Sequence, residues 1–436
     1  MLGVLSHRTY RHLFAAQVIS LLGSGLATVA LGLLAYDLAG EDAGAVLGVA
    51  FTIKMVAYVT LAPVAAAVAG HLPRRAFLVG LDLVRAVVVL GLPFVTQVWQ
   101  IYVLVLLLQA ASAGFTPAFQ ATIPDVLPEE RDYTRALSLS QLASDFETLL
   151  SPLLAAVLLT VVSFSVLFVG TVAGFAISAL LVLSVRLPIR PTAPEGEGAW
   201  AATTKGIRIM LRTPRLRGSL ALELAVAAAG AMVLVNTVVL VRSALGLGES
   251  QVALALGAFG GGSMAAALLT PRLLDHASER TVMLSGGVLM VAGVGAGAFA
   301  ASLGALMAAW AVVGAGFALT QTPVGRLLVR SAHAEDRPAL YAAQFALSHA
   351  CWLVAYPVAG WAGASLGLPA AFGLLTALGA AGLVIAWALW PSSDPDAVPH
   401  AHPDLPSDHP HLAGHGLHHV HPLVVDRLHH AWPGRA

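Results

Sequence analysis

The chain has few charged residues and almost no cysteine. Only 11% of its 436 residues are charged, and 23 acidic residues balance 23 Lys and Arg. A neutral chain lacks the basic surface that nucleic-acid binding requires, so we expect no nucleic-acid partner. The single cysteine, Cys351, excludes an intramolecular disulfide bond.

Apolar residues take the place of the missing charge. Hydrophobic residues make up 58% of the chain, and the mean hydropathy is +0.82. A soluble protein of this length has no core large enough to bury so much apolar surface, which predicts an integral membrane protein. The first apolar run, Leu13 to Leu38, is too long for a signal peptide and is expected to be a first membrane span.

The apolar runs predict an all-α integral membrane protein with twelve transmembrane helices. About twenty apolar residues cross a bilayer as a helix. Runs of that kind lie at 12–38, 44–70, 76–96, 99–123, 137–160, 164–185, 218–241, 251–271, 281–299, 303–328, 339–362 and 369–390. We therefore divide the chain into a six-helix half (1–186), a linker loop (187–217), a second six-helix half (218–390) and a polar tail (391–436).

The distribution of positive charge predicts the orientation. With both ends on one side, that side receives nearly all loop arginines, whereas the opposite side receives only Arg242. Since cytoplasmic loops carry the positive excess, both termini, the linker and the tail are predicted to be cytoplasmic. We expect a monomer in the bacterial cytoplasmic (inner) membrane, with the lipid bilayer as its surroundings.

Landmarks recur across the linker at an offset of 205 residues, which indicates two pseudo-symmetric halves. The matching pairs are His71 and His276, Arg75 and Arg280, Glu130 and Glu335, and Pro152 and Pro357. A Thr-Pro pair at Thr116 recurs at Thr322, one residue further along. Repeated halves of this kind are typical of secondary transporters with a binding site near the bilayer midplane.

Three stretches carry a resemblance to a known family. They are RTYRHLFAAQVISLLGSGL from Arg8, LPRRAFLVGLDLVRA from Leu72 and PRLLDHASER from Pro271. The core resembles the major facilitator superfamily, on the exporter branch near the drug:proton antiporters and siderophore exporters. One departure is that Gly70 stands where the family's loop signature has Asp, although Asp275 fills that position in the second half.

Ionisable residues inside the spans are candidates for transport or coupling, because charge in hydrocarbon is costly. Lys54 lies mid-span and needs a carboxylate partner, for which Asp145 and Glu147 are the candidates. Two acidic side chains and one lysine leave one carboxylate without a counter-charge, and such a carboxylate can bind a cation or carry a proton. Asp82 and Arg85, three residues apart near the cytoplasmic end of their helix, are predicted to form an ion pair.

The second half places other polar residues at matching depth. His349 and Cys351 precede Pro357 by nearly the spacing at which the two acids precede Pro152. Oxygen, imidazole and thiol donors together suit a borderline cation such as Ni²⁺, Co²⁺ or Zn²⁺. Packing of the thiol, or a hydrogen bond from the imidazole to a carbonyl, is the alternative. Further polar candidates are Asn236, Gln321 and Gln344.

The polar tail contains ten of the sixteen histidines, interleaved with Asp and Pro. Such a composition cannot build a core, so we expect disorder in the absence of metal. The histidines are predicted to bind first-row ions loosely, the alternatives being a pH-responsive segment or a compositional accident. They are His400, His402, His409, His411, His415, His418, His419, His421, His429 and His430.

Within the exporter branch, a twelve-span core with a histidine-rich cytoplasmic end resembles the nickel-resistance permeases. The stretch TPVGRLLVRSAHAEDRPALYAAQFALSHACW from Thr322 is similar to that subgroup as well. The resemblance implies efflux of Ni²⁺, with Co²⁺ as a second substrate, driven by inward proton flow. It implies no permanently bound cofactor and no enzymatic activity, because the metal ion is the cargo.

Three hypotheses follow. The first is a proton-coupled exporter of divalent transition metals that confers metal resistance. The second keeps the fold but exports organic cations, drugs or siderophores, with a metal-responsive regulatory tail. The third is a membrane sensor that reports cytosolic metal to a partner without transporting it.

Overall fold

The computed structural model describes most of the chain. The described residues are 2–69, 73–129, 154–187, 199–333, 336–395, 397–401, 418–425, 428–429 and 432, together with Asp132, Arg135, Ala136, Leu139, Ser140, Ala143, Glu147, Leu150 and Ser151.

Five described helices form the amino-terminal half. They are α1 (Arg8–Ala39), α2 (Ala43–Ala69), α3 (Arg74–Gly91), α4 (Val98–Val126) and α5 (Phe164–Leu183). Short 3-10 helices lie at Leu2–Ser6, Gly40–Asp42 and Leu92–Phe94. The nine described positions between Asp132 and Ser151 are also helical, as the predicted 137–160 span requires.

Eight helices follow. They are α6 (Ala199–Arg212), α7 (Pro214–Val239), α8 (Glu249–Leu274), α9 (Glu279–Gly297), α10 (Leu303–Gln321), α11 (Val324–Arg330), α12 (Arg337–Ser365) and α13 (Leu368–Leu389). A π-helical turn at Leu240–Ala244 extends α7. The predicted 303–328 span is interrupted at Thr322 and Pro323, because proline cannot supply the backbone N–H that a continuous helix needs.

The all-α membrane fold is confirmed. Helices occupy eleven of the twelve predicted spans, and the span at 137–160 lies partly outside the described residues. Within the described part, nine stretches are long and apolar enough to cross a membrane, and the first, Arg8–Leu61, covers α1 and most of α2.

The linker is not the plain loop that the sequence predicted. It contains α6, and α7 begins at Pro214 rather than at residue 218. Ile209 and Met210 of α6 are buried, whereas Leu211 is exposed, so α6 is amphipathic and lays one face on the protein. Lys205 of α6 also pairs with Asp336 just before α12.

Each half contains one ion pair at equivalent positions, on the face of the protein where α3, α7 and α9 begin. We call it the arginine-rich face, defined by Arg74, Arg215, Arg280 and Arg330. Arg74 pairs with Asp125, and Glu279 pairs with Arg330 at 2.7 Å. Each pair spans 51 residues. Positions 74 and 279, like 125 and 330, differ by the same 205 residues as the sequence landmarks. The pair is thus repeated with its signs reversed.

The described part of the tail contains two short strands, while the expected disorder in the absence of metal stays a prediction. Strands β1 (Ala397–Ala401) and β2 (His418–Pro422) pair in antiparallel register, with Val398 opposite His421 and His400 opposite His419. Leu423 and Val425, directly after β2, are 1% and 2% exposed. The overall composition of the tail masked this short apolar segment, which supplies the burial that ordering requires.

The halves meet on the face opposite the arginine-rich face. There α2 and α12 approach so closely that a Cβ on Gly48 would lie 2.9 Å from the Cα of Gly360. Tyr36 of α1 and Ser243 after α7 also share a hydrogen bond of 2.9 Å between their hydroxyl groups. Small residues at such crossings let helix backbones touch inside a membrane.

The tightest glycine contact within one half gives a test of this packing. A Cβ on Gly314 of α10 would lie 1.9 Å from the carbonyl oxygen of Phe259 in α8. We expect Gly314→Ala to push α8 and α10 apart and to lower stability by about 1–3 kcal/mol. Thermal unfolding of the detergent-solubilised protein measures this as a lower melting temperature.

Gly373→Ala in α13 is the matched control. A Cβ there meets nothing within 4 Å, so the melting temperature should stay the same or rise. Equal effects of the two substitutions would contradict the close approach of α8 and α10.

Candidate functional site

A cavity of about 180 Å³ lies in the amino-terminal half, on the side that meets the carboxyl-terminal half. Its walls alternate polar groups with aromatic rings, which suits a cargo that has both polar and apolar parts. The polar residues include Gln17, Ser20, Ser24, Thr28, Lys54, Gln109, Ser112 and Glu147, and the aromatic residues are Phe51, Tyr58, Phe115, Phe119 and Phe175.

Lys54 and Glu147, two of the residues that the sequence marked as candidates for transport or coupling, both line this cavity. The predicted pairing between them is not formed, because no ion pair of Lys54 is found among the described residues. The Lys54 ammonium lies 5.7 Å from the centroid of the Tyr58 ring, which is a cation–π contact. Asp145, the other predicted partner, lies outside the described residues.

Glu147 also borders a second opening of about 310 Å³, between α1 and the described helical positions Leu139, Ala143, Glu147 and Leu150. Apart from Glu147, this opening is lined by apolar side chains, namely Phe14, Val18, Leu22, Leu139, Ala143 and Leu150. Helix α1 approaches closely at this carboxylate, since a Cβ on Gly25 would lie 2.7 Å from Glu147 Oε1. The Glu147 side chain therefore borders both a polar cavity and an apolar cleft.

The predicted ion pair of Asp82 and Arg85 is present, but its predicted position was wrong. The pair lies in the middle of α3 rather than near its end, since Asp82 is the ninth residue of an 18-residue helix. Ser178 Oγ donates to Asp82 Oδ2 at 2.7 Å, and the guanidinium lies 4.0 Å from the Phe115 ring centroid. Arg85 therefore lines the cavity as a neutralised and fixed charge.

The sequence interpretation missed Glu223, a carboxylate in α7 of the second half. It is 2% exposed, and its two oxygens accept hydrogen bonds of 3.0 Å from Gln321 Nε2 and Gln344 Nε2. Gln321 and Gln344 were predicted polar candidates, so the structure gives them a common partner. Glu223 is the only acid in the predicted 218–241 span, and this was the available signal.

The structure places His349 against the amino-terminal half and engages it in local contacts. Its Nδ1 lies 2.7 Å from the carbonyl oxygen of Phe345, and the two rings are tilted by 32° with centroids 3.9 Å apart. Tyr58 of the cavity is 5.9 Å away. This is the alternative that the sequence left open, in which the imidazole bonds to a carbonyl.

The predicted core metal site is not assembled among the described residues. Cys351 is half-buried among apolar neighbours, and it lies about 200° around α12 from His349. No three His, Cys, Asp or Glu side chains lie close enough to hold an ion in the part of the chain that the structure describes. Asp145, which was to be a fourth ligand, lies outside that part.

Asn236, another predicted transport residue, lies at the contact between the halves rather than in the cavity. It is 1% exposed, and its Nδ2 donates to the carbonyl oxygen of Ala359 at 3.2 Å. Its Oδ1 faces two glycines, since a Cβ on Gly44 or Gly363 would lie 2.9 or 2.5 Å from it. Asn236 thus helps to join α2, α7 and α12.

Half of the tail histidines fall on residues whose backbone the structure describes. His418 is exposed, and His421 and His429 lie side by side with ring centroids 5.1 Å apart. The remaining predicted tail ligands, His402, His409, His411, His415 and His430, lie outside the described residues.

Comparison with known proteins gives the fold and the family. The chain superimposes with a TM-score of 0.66 and 14% identity on a bacterial homologue of the human lysosomal transporter Spinster, covering 88% of this chain and 96% of that one. A D-xylose–proton symporter superimposes with a TM-score of 0.65 and 15% identity, over 88% and 97% of the two chains.

Sequence relatives point to the same group. An uncharacterised MFS-type transporter, YfiS of Bacillus subtilis (strain 168), is 25% identical over 325 residues, which cover 71% of this chain and 76% of the relative. Macrolide efflux protein A of Streptococcus pyogenes is 25% identical over 181 residues, or 40% of this chain and 44% of the relative. The sequence profile of the Major Facilitator Superfamily matches residues 13–240 and 220–423. With both halves matched and the fold shared, the chain belongs to the Major Facilitator Superfamily of membrane transporters.

Proposed function

We propose that the chain exports an amphipathic organic cargo from the cytoplasm in exchange for protons. The observation that carries the proposal is the position of Glu147, whose side chain borders both the aromatic-lined cavity and the apolar cleft. A cargo with a cationic group and an apolar body satisfies both surroundings at once. The partial match to macrolide efflux proteins supports an organic cargo and outward transport.

The orientation is part of the proposal. The loop arginines gather on the arginine-rich face, and the positive-inside rule assigns that face to the cytoplasm. Both termini and the tail are then cytoplasmic, in the cytoplasmic membrane of a bacterium, and the transporter acts as a monomer. The contact of α2 with α12 lies on the outer side, so cargo enters from the arginine-rich side or through the cleft.

Proton coupling is assigned to Glu223. The carboxylate is buried and bonded only by neutral amide groups among the described residues, so no fixed cation holds it in the charged form. Gain of a proton removes a buried charge that is costly in a membrane interior. Loss of that proton on the cytoplasmic side and its return from outside would couple export to the proton gradient.

Export of Ni²⁺, Co²⁺ or Zn²⁺ is the second candidate, and the ten histidines of the tail are the observation that favours it. Imidazole groups bind first-row divalent ions. The metal would then be cargo rather than a resident cofactor, and His349, Cys351, Glu147 and Asp145 would supply a transient site. The described residues do not bring these ligands together, so we place this candidate second.

Reconstituted vesicles distinguish the two cargo classes. We expect ethidium, used as an amphipathic organic cation, to evoke proton counterflow, because it meets both the carboxylate and the aromatic walls. A pH-sensitive dye inside the vesicles measures the flux, with Ni²⁺, Co²⁺ and Zn²⁺ in parallel. Counterflow with a metal ion alone would refute the organic proposal, and no counterflow with any probe would refute proton-coupled export.

Removal of the Glu147 charge tests the cargo site. We expect Glu147→Gln to reduce ethidium export about tenfold or more, because the amide no longer offers a negative charge where the cavity and the cleft meet. Initial rates of fluorescence change in everted membrane vesicles measure this loss. Glu129→Gln, at an exposed position, is the matched control and should export at the parent rate. A normal rate for Glu147→Gln would argue against this carboxylate.

Glu223→Gln tests the coupling. The amide imitates a permanently protonated carboxyl group, so we expect loss of proton-driven uphill export while exchange of labelled for unlabelled cargo continues. Comparing the two assays in the same vesicles separates coupling from binding. Glu249→Gln, near the opposite face in a partly exposed pair with Arg242, should change neither assay. Parent-level uphill export by Glu223→Gln would exclude this residue as the proton carrier.

A further inference from the structure

The end of the tail packs on the arginine-rich face. Arg215, the second residue of α7, is 1% exposed, and its guanidinium lies 4.9 Å from the centroid of the Trp432 ring. Asp394 approaches the same guanidinium at 3.5 Å and also lies 3.7 Å from Arg330. The tail therefore contacts this face at its beginning, through Asp394, and near its end, through Trp432.

Two histidines stand between these contacts. His421 belongs to β2, and His429 lies three residues before Trp432. Their ring centroids are 5.1 Å apart at an interplanar angle of 73°, and His429 is 7% exposed. Leu423 and Val425, which follow His421 along the chain, are buried.

The distance between the rings fits a shared metal ion. A ring nitrogen binds such an ion at about 2.0–2.1 Å, which puts the ring centroid about 3.2 Å from the metal. Two rings on one ion then have centroids about 4.5 Å apart at a right angle and about 5.2 Å apart at the tetrahedral angle. The observed 5.1 Å falls within this interval.

We propose that His421 and His429 form a binding site for a first-row divalent cation, and that a cation bound there fastens the tail to the arginine-rich face through Trp432 and Arg215. The preference is for Cu²⁺, Ni²⁺ or Zn²⁺, in line with imidazole donors. Water completes the coordination sphere.

The cation would act by closing a loop. It links two residues that are eight positions apart, so the chain from His421 to His429 becomes a closed ring with fewer conformations to lose on docking. Trp432 lies three positions after His429, so closing this loop of the chain holds Trp432 near Arg215. Metal binding and tail docking then stabilise each other, since each favours the same conformation. Metal binding at this site requires no transport, so its test is independent of the proposed cargo.

Hydrogen exchange of the full-length protein in lipid nanodiscs tests the site. We expect Zn²⁺ or Ni²⁺, added alone at ten times its dissociation constant, to slow amide exchange in residues 423–432 about tenfold. The double substitution His421→Ala/His429→Ala should abolish this protection. His409→Ala/His411→Ala removes the same number of imidazoles and should retain it. Protection that is absent from the parent protein, or equal in both double variants, would overturn the site.

Trp432→Ala tests the docking. This substitution leaves both histidines in place, so the metal should still slow exchange between residues 423 and 429. Metal-dependent protection of the first turn of α7, around Arg215, should disappear because the ring that covers the guanidinium is gone. If that turn remains protected, the metal does not act on this face through Trp432.

Discussion

The contact between α2 and α12 joins the two halves, and its chemistry determines how they can separate. A Cβ on Gly48 would lie 2.8 Å from the carbonyl oxygen of Tyr356, and one on Gly360 would lie 2.7 Å from that of Gly44. Backbone therefore lies against backbone, held by dispersion and weak Cα–H···O contacts. Opening such a contact exposes few charged groups to lipid, which suits a junction that a transporter must open and close repeatedly.

The two halves treat buried charge differently. In the amino-terminal half Asp82 and Arg85 neutralise each other, and breaking such a pair would leave an uncompensated charge, so the pair stays fixed. In the carboxyl-terminal half Glu223 has only the amides of Gln321 and Gln344 as described partners. An amide donor orients a carboxyl group without forcing it to stay ionised. The Asp82 carboxylate is thus neutralised by a cation, whereas the Glu223 carboxylate is held only by neutral donors among the described residues.

Features that depend on local composition could be predicted from the sequence. The membrane spans could be predicted from the apolar runs. The 205-residue offset between repeated landmarks indicated that the two halves share one arrangement. The pairs of Arg74 with Asp125 and of Glu279 with Arg330 were beyond prediction because their members lie 51 residues apart. Glu223 was missed for the same reason, since Gln321 and Gln344 are 98 and 121 residues away. Helix α6 and the β1–β2 hairpin lie in polar segments whose average composition masked short apolar stretches.

The surroundings of His349 bear on which chemistry the cavity favours. Its Nδ1 is engaged with the carbonyl oxygen of Phe345, so only Nε2 is left for a metal, and close contact with the Phe345 ring limits its rotation. An ion needs several donors that converge on one point. Beside the cavity, Phe345 and His349 instead lie against the ring of Tyr58, which in turn contacts the Lys54 ammonium. Flat rings and separated charges recognise shape, apolar area and a single charged group, which is the recognition that an amphipathic organic cargo requires.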